Sequence, residues 1–287
     1  MLALLASCGN KEKGYDATGT FEATEVTVSA EQSGTLLRFS LEEGDNIEAG
    51  HEVGVIDTTQ IWLKLQQADA TKAIYQSQKP DMEKQIAATR QQLQKAKTEQ
   101  HRYQELVNDG AAPRKMLDDA TNQVKVLQRQ LDAQISALNT STKTLNQQMA
   151  ATDVQKSQLL DQLHKCHIVT PLSGTVLEKF VEQGEFATPG KPLFKMGDIQ
   201  NMYMRAYITS AQLQKVKVGQ KVKIFADFGG GQKKEYEGTV SWISSRSEFT
   251  PKTILTDDER ADLVYAVKIA VKNDGNIKLG MYGEVKL

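Results

Sequence analysis

The sequence predicts an α+β chain of elongated form. A flattened β-barrel is split in two by a long antiparallel α-helical coiled-coil hairpin, and an antiparallel β-barrel domain follows. Three observations carry this expectation. A twelve-residue stretch recurs after 140 residues, the intervening segment is glycine-poor with apolar residues in steps of three and four, and the texture after Asp198 turns to strand-like alternation. The expected boundaries are 1–20 for a signal end and tether, 21–57 and 166–198 for the two halves of the split barrel, 58–165 for the hairpin, and 199–287 for the closing barrel.

At the N-terminus, Met1-Leu2-Ala3-Leu4-Leu5-Ala6-Ser7 is a short apolar stretch leading to Cys8, followed by polar Gly9-Asn10-Lys11-Glu12-Lys13. Leu5-Ala6-Ser7-Cys8 resembles the bacterial lipobox, which implies a diacylglycerol on Cys8 and a chain anchored to the membrane rather than spanning it. An ordinary cleaved signal is the plainer reading, and no basic residues precede the apolar stretch. No run of about 18 apolar residues occurs anywhere. Cys166 is the only other cysteine, so acylation of Cys8 would leave it no disulfide partner in the chain. The 287 residues are 39% hydrophobic, enough for ordinary cores, and Lys+Arg 35 against Asp+Glu 36 leaves no basic field to hold nucleic acid.

The recurring stretch is Ser33-Gly34-Thr35-Leu36-Leu37-Arg38-Phe39-Ser40-Leu41-Glu42-Glu43-Gly44, matched by Ser173-Gly174-Thr175-Val176-Leu177-Glu178-Lys179-Phe180-Val181-Glu182-Gln183-Gly184. Gly50 and Gly190 keep the same spacing, and Val53-Gly54-Val55-Ile56 answers Leu193-Phe194-Lys195-Met196. Each copy reads as short strands punctuated by glycine turns. Two such four-strand halves facing each other resemble the lipoyl/biotinyl carrier domain. A carrier domain joins its halves by a tight hairpin bearing the modified lysine, whereas here residues 58–165 occupy that junction, which removes the lysine site and with it a covalent cofactor.

The inserted segment is rich in Gln, Lys, Ala, Leu and Asp, which favours long helices. Met82, Ile86, Leu93, Ala96, Tyr103 and Leu106 lead outward, and Leu117, Ala120, Val124, Leu127, Leu131, Ile135, Leu138, Leu145 and Met149 return, in the spacing of a coiled-coil seam. Asn108-Asp109-Gly110-Ala111-Ala112-Pro113 interrupts both, with Gly suited to a helix end and Pro to a fresh start, so the tip falls near 108–114. Helices of about 50 residues would each extend on the order of 75 Å if straight. Pro80 predicts a break in the outgoing helix. The apolar-poor Asn139-Thr140-Ser141-Thr142 lies opposite it, so both helices are expected to weaken at one level and form a joint.

After Asp198, runs at 202–208, 221–225, 236–243 and 265–271 alternate as half-buried strands. Thr209 to Val218 suggests a short helix, and Gly229-Gly230-Gly231 a hairpin turn.

This order of parts resembles the HlyD-type membrane fusion proteins, or periplasmic adaptors, over essentially the whole chain after Cys8. Ile168-Val169-Thr170-Pro171-Leu172-Ser173-Gly174-Thr175-Val176 is similar to the family's return strand, with Thr170 in place of Ala and Ser173 in place of Asp. Phe249, following Tyr236-Glu237-Gly238-Thr239-Val240, and Leu279-Gly280-Met281-Tyr282-Gly283-Glu284-Val285 resemble its barrel signatures. The resemblance implies a periplasmic, non-enzymatic adaptor without cofactors, held to the inner membrane by its lipid. It also implies a homo-oligomeric ring joining an inner-membrane exporter to an outer-membrane tunnel protein for efflux or secretion. A short C-terminal region tilts the exporter toward the ABC type, with proton-driven and metal-efflux pumps as alternatives. The tunnel-docking set it implies is Arg102, Leu106, Gly110 and Pro113, where Pro113 replaces the family's Ser.

No phosphate loop, metal-protease helix or nucleophile elbow appears, so no catalytic residue is expected. His164, Cys166 and His167, with Met202 and Met204, could ligate a soft metal, but a buried packing cysteine flanked by solvated histidines is the commoner arrangement, and no metal is expected. A carrier-domain enzyme subunit and a coiled-coil scaffold without a transport role remain the competing readings.

Overall fold

The structure is a computed structural model that describes residues 14–248 and 264–287. In chain order, β1 (Ala17–Glu22) precedes β2 (Glu25–Ser29), β3 (Gly34–Phe39), β4 (Asn46–Ile47) and β5 (Glu52–Ile56). Three helices follow: α1 (Thr59–Ser77), α2 (Met82–Asn108) and α3 (Arg114–His164). The chain then forms β6 (His167–Val169), β7 (Gly174–Lys179), β8 (Phe186–Ala187) and β9 (Pro192–Gly197). It ends with β10 (Asn201–Thr209), α4 (Ser210–Leu213), β11 (Lys221–Asp227), β12 (Lys233–Glu248), β13 (Val264–Lys272) and β14 (Tyr282–Lys286). Thr58–Lys165 is one compact unit, and Met1–Asp57 with Cys166–Leu287 is the other.

In the second of these units, strands β2 to β9 form two four-stranded sheets, ordered β2-β9-β7-β4 and β6-β5-β3-β8. Exchanging β2 to β5 for β6 to β9 turns one order into the other, so the sequence repeat is a pseudo-two-fold in space. The hydrogen bonds obey the same offset. Gly44 N–H donates to the Val176 carbonyl at 2.9 Å, as Gly184 N–H does to Leu36 at 2.8 Å. Ala30 N–H donates to Lys191 at 2.9 Å, as Thr170 N–H does to His51 at 3.0 Å. Each half thus supplies the turn partners of the other, and neither could satisfy its backbone alone. Leu36, Val53, Ile56, Val176, Leu193 and Phe194 fill the space between the sheets.

The remaining strands close into a barrel of order β1-β10-β13-β12-β11-β14, with every neighbouring pair antiparallel. Its core includes Phe21, Met204, Ile224, Ile269 and Val285. Here the tether expected through residue 20 is corrected: from Ala17 onward the chain is a barrel strand. Thr20 pairs with Arg205 and Tyr282, and Phe21 with Met204, while the Phe21 ring is fully buried. Closure removes the edges that β10 and β14 would otherwise expose. The short helix expected at 209–218 is confined to α4, which Thr209 and Gln212 start with a capping box.

In the helical unit, Pro80 separates α1 from α2. The Gln78 N–H still reaches the Ile74 carbonyl at 3.1 Å, and the Asp81 carboxylate caps α2 by accepting the Lys84 N–H at 3.2 Å. The weakening expected at 139–142 does not interrupt the helix, and α3 runs 51 residues without a break. Its hydroxyls are satisfied within the helix: Thr140 Oγ1 donates to the Ser136 carbonyl and Thr144 Oγ1 to that of Thr140, at 2.9 and 3.0 Å. Low apolar content there removes seam contacts without breaking the backbone. The seam accordingly forms two clusters. Ile86, Leu93, Leu127 and Leu131 pack α2 on α3, and Leu65, Ala68 and Leu159 pack α1 on α3. Crossed ion pairs, Lys72–Asp153 at 2.6 Å and Lys156–Asp69 at 2.7 Å, link α1 to α3.

Candidate functional site: the hairpin tip

The end of α2 is closed by its own backbone. Asp109 is the C-cap, Gly110 follows with φ +70°, and Ala111 N–H returns to the Leu106 carbonyl at 2.8 Å while Gly110 N–H reaches Val107 at 3.1 Å. This six-to-one and five-to-two pair is the Schellman arrangement, which needs a left-handed residue after the cap and so selects glycine. Pro113 then stands extended at ψ 139° as the N-cap of α3, and its carbonyl accepts the Met116 N–H at 3.0 Å. Pro113 offers no side-chain cap, and the first turn of α3 carries Arg114 and Lys115 but no acidic residue. The positive end of that helix is therefore left without a compensating charge.

Arg102 and Leu106 sit four residues apart and so share a face of α2. The Arg102 side chain is 59% exposed, pairs with Glu99 at 2.5 Å and lies over the Tyr103 ring at 5.3 Å. An exposed pair of this kind contributes on the order of 0–1 kcal/mol, so the guanidinium is available for exchange to another partner. Leu106 is 36% exposed, and its carbonyl is part of the cap. Arg102, Leu106, Gly110 and Pro113 therefore lie in the last two turns of α2 and the loop that closes it. Behind them, Ala96 and Ala120 are too small to fill the seam, and a groove of about 710 Å³ opens between α2 and α3, bordered by Tyr103, Met116 and Leu127. The paired alanines at seam positions were the sequence signal for that groove.

The His164, Cys166 and His167 segment is arranged for structure. Cys166 is fully buried, and burial, reinforced by the charge of Asp57, pushes its thiol up. His167 Nδ1 meets Glu52 Oε2 at 2.7 Å. That contact holds the Glu52 carboxyl below its ordinary range, with help from Arg38. Among the described residues no group of three His, Cys, Asp or Glu side chains could hold a metal ion. Nor is any helix among them long and apolar enough to cross a membrane. Cys8 and Phe249 lie outside the described residues.

Comparison with known proteins agrees with this architecture. Residues 24–196, more than half the chain, match the family described as "RND MFP, barrel-sandwich hybrid domain". A UPF0194 membrane protein from Citrobacter koseri is 28% identical over 94% of this chain and 88% of its own length. The fold is similar to the crystal structure of MacA from Actinobacillus actinomycetemcomitans, at TM-score 0.59 and 20% identity, covering 94% of this chain and 76% of that one. It is also similar to the membrane fusion protein Spr0693 from Streptococcus pneumoniae R6, at TM-score 0.56 and 18% identity, covering 94% and 97%. With the family match spanning both halves of the split body and the hairpin between them, the chain belongs to the membrane fusion proteins, the periplasmic adaptors of export systems.

Proposed function

We propose that this adaptor joins an inner-membrane exporter to an outer-membrane tunnel protein, and that it meets the tunnel through the end of its hairpin. The observation that carries the proposal is the tip itself. Helix spacing sets Arg102 and Leu106 on one exposed face, and the Schellman turn that follows brings in an α3 N-terminus with basic residues and no side-chain cap. Such a surface suits the carbonyl-rich, negatively polarised end of a partner helix. Pro113 contributes rigidity instead of the hydroxyl that a serine would bring. Cys8 carries the lipid that holds the protein at the inner membrane, and copies of the chain assemble as a ring. An ABC-type exporter is the favoured inner-membrane partner, although the family description names the RND class.

The test is a photoreactive residue at Arg102 in cells, with a second probe on the barrel. Capture of an outer-membrane tunnel protein from the first and an ABC exporter from the second is the expected result. A proton-driven pump captured by the barrel probe would replace the ABC assignment. Capture of neither, in a strain making both, would leave a scaffold as the better account.

A further inference from the structure

One end of the barrel carries a group of exposed lysines. Pairing places the start of β1, the ends of β10, β12 and β14, and the start of β13 at this end, because Thr18 faces Tyr207, Ala17 faces Val285 and Glu248 faces Val264. The α4 loop lies there too. Lys217 to Gln220 is a tight turn in which Gln220 N–H returns to the Lys217 carbonyl at 3.1 Å, with Gly219 at φ +89°. The turn lifts Val218 outward, 64% exposed, between Lys217 and Lys221. Lys215, Lys217, Lys221 and Lys286 are all exposed, and none forms an ion pair among the described residues. Of the acids nearby, Glu235 is engaged by Lys223 at 2.6 Å and Glu248 by Arg205 at 2.8 Å, while Glu237 faces Lys223 across the β11–β12 pair.

The chain arrives at this same end. Asp16 is clamped there: its N–H donates to the Val285 carbonyl at 2.9 Å, its carboxylate accepts the Leu287 N–H at 2.9 Å, and its carbonyl accepts from the Gln212 side chain. Seven residues, and so eight Cα-to-Cα steps, separate Cys8 from Asp16, which span at most about 28 Å when extended. A lipid on Cys8 would therefore keep this end of the barrel near the bilayer.

We propose that the Lys215–Lys221 turn, with Lys286, is a membrane-contact surface that binds anionic phospholipid headgroups, with Val218 entering the interface. The proposal rests on the reading that Cys8 is acylated. A valine tip between lysines matches a surface whose outer layer is charged and whose interior is apolar. Each lysine near an anionic bilayer is worth roughly fivefold in affinity.

The experiment uses the full chain carrying Cys8→Ala, so that no acyl chain contributes. It compares co-sedimentation with vesicles of phosphatidylglycerol and phosphatidylethanolamine against phosphatidylcholine vesicles. Binding selective for the anionic vesicles and weakened by salt is expected. The Lys215→Gln, Lys217→Gln, Lys221→Gln triple variant should lose on the order of 100-fold, and a Val218→Trp reporter should shift its emission to the blue only on anionic vesicles. Equal binding by the triple variant and its parent, with both folded by circular dichroism, would overturn the proposal. So would absence of binding at low salt. Fatty-acid labelling of Cys8 and crosslinking from Arg102 are separate readouts, so failure of the anchor or of the adaptor reading is distinguishable from failure of this surface.

Discussion

Gly110 sets the backbone geometry that closes the tip. Its φ of +70° lies where a side chain costs about 1–2 kcal/mol, and a Cβ there would meet no neighbour, so backbone strain alone sets the outcome. Gly110→Ala should therefore raise amide exchange at positions 110 and 111 by about fivefold to thirtyfold. The amide protons deeper in α2 should be unchanged, as nuclear magnetic resonance would read. Unaltered exchange at 111 would mean that the cap contributes nothing to the tip. The glycine itself was legible in the sequence, because Asp-Gly followed by Pro is a helix stop and restart. The hydrogen bond that makes the Leu106 carbonyl part of the same turn was not, since it depends on which residue becomes the cap.

The hairpin is an element whose outgoing and returning arms differ in kind, two helices against one. Leu131 is buried where α2 crosses α3, and Leu131→Ala should cost about 2–3 kcal/mol, the lower end for a leucine that only two helices enclose. Leu160, 47% exposed on the same helix, should tolerate alanine within about 0.5 kcal/mol. Melting followed at 222 nm would rank the two, and equal effects would mean that the seam does not stabilise α3. The break at Pro80 was readable because proline acts locally, through its own missing N–H and the geometry it imposes on Lys79. The loss of apolar residues at Asn139–Thr142 leaves the helix continuous because helix formation is cooperative. Good helix formers on both sides carry the segment, and the Thr140 and Thr144 hydroxyls find acceptors one turn back.

For the whole molecule, β1 shows why local reading falls short. Ala17–Glu22 contains one large apolar residue, and its partners, Tyr203 to Tyr207 and Tyr282 to Val285, are far along the sequence. No short-range pattern reveals such a pairing, whereas the repeat announced the split body through sequence identity alone. A chain beginning at Gly14 should retain the folded barrel, and one beginning at Thr24 should lose it, with rapid proteolysis within β10 to β14 as the readout. Survival of the shorter chain would mean that the barrel closes without its first strand. The attachment of the hairpin has an evolutionary consequence. Ile56 N–H donates to the Cys166 carbonyl at 2.9 Å, so the strands that send the chain out and receive it back are already neighbours. The body therefore imposes no selection on how many residues lie between them. Insertions of one heptad in each helix would lengthen the arm by about 10 Å without disturbing a strand, so a lineage can change the length of this arm while leaving the body as it is.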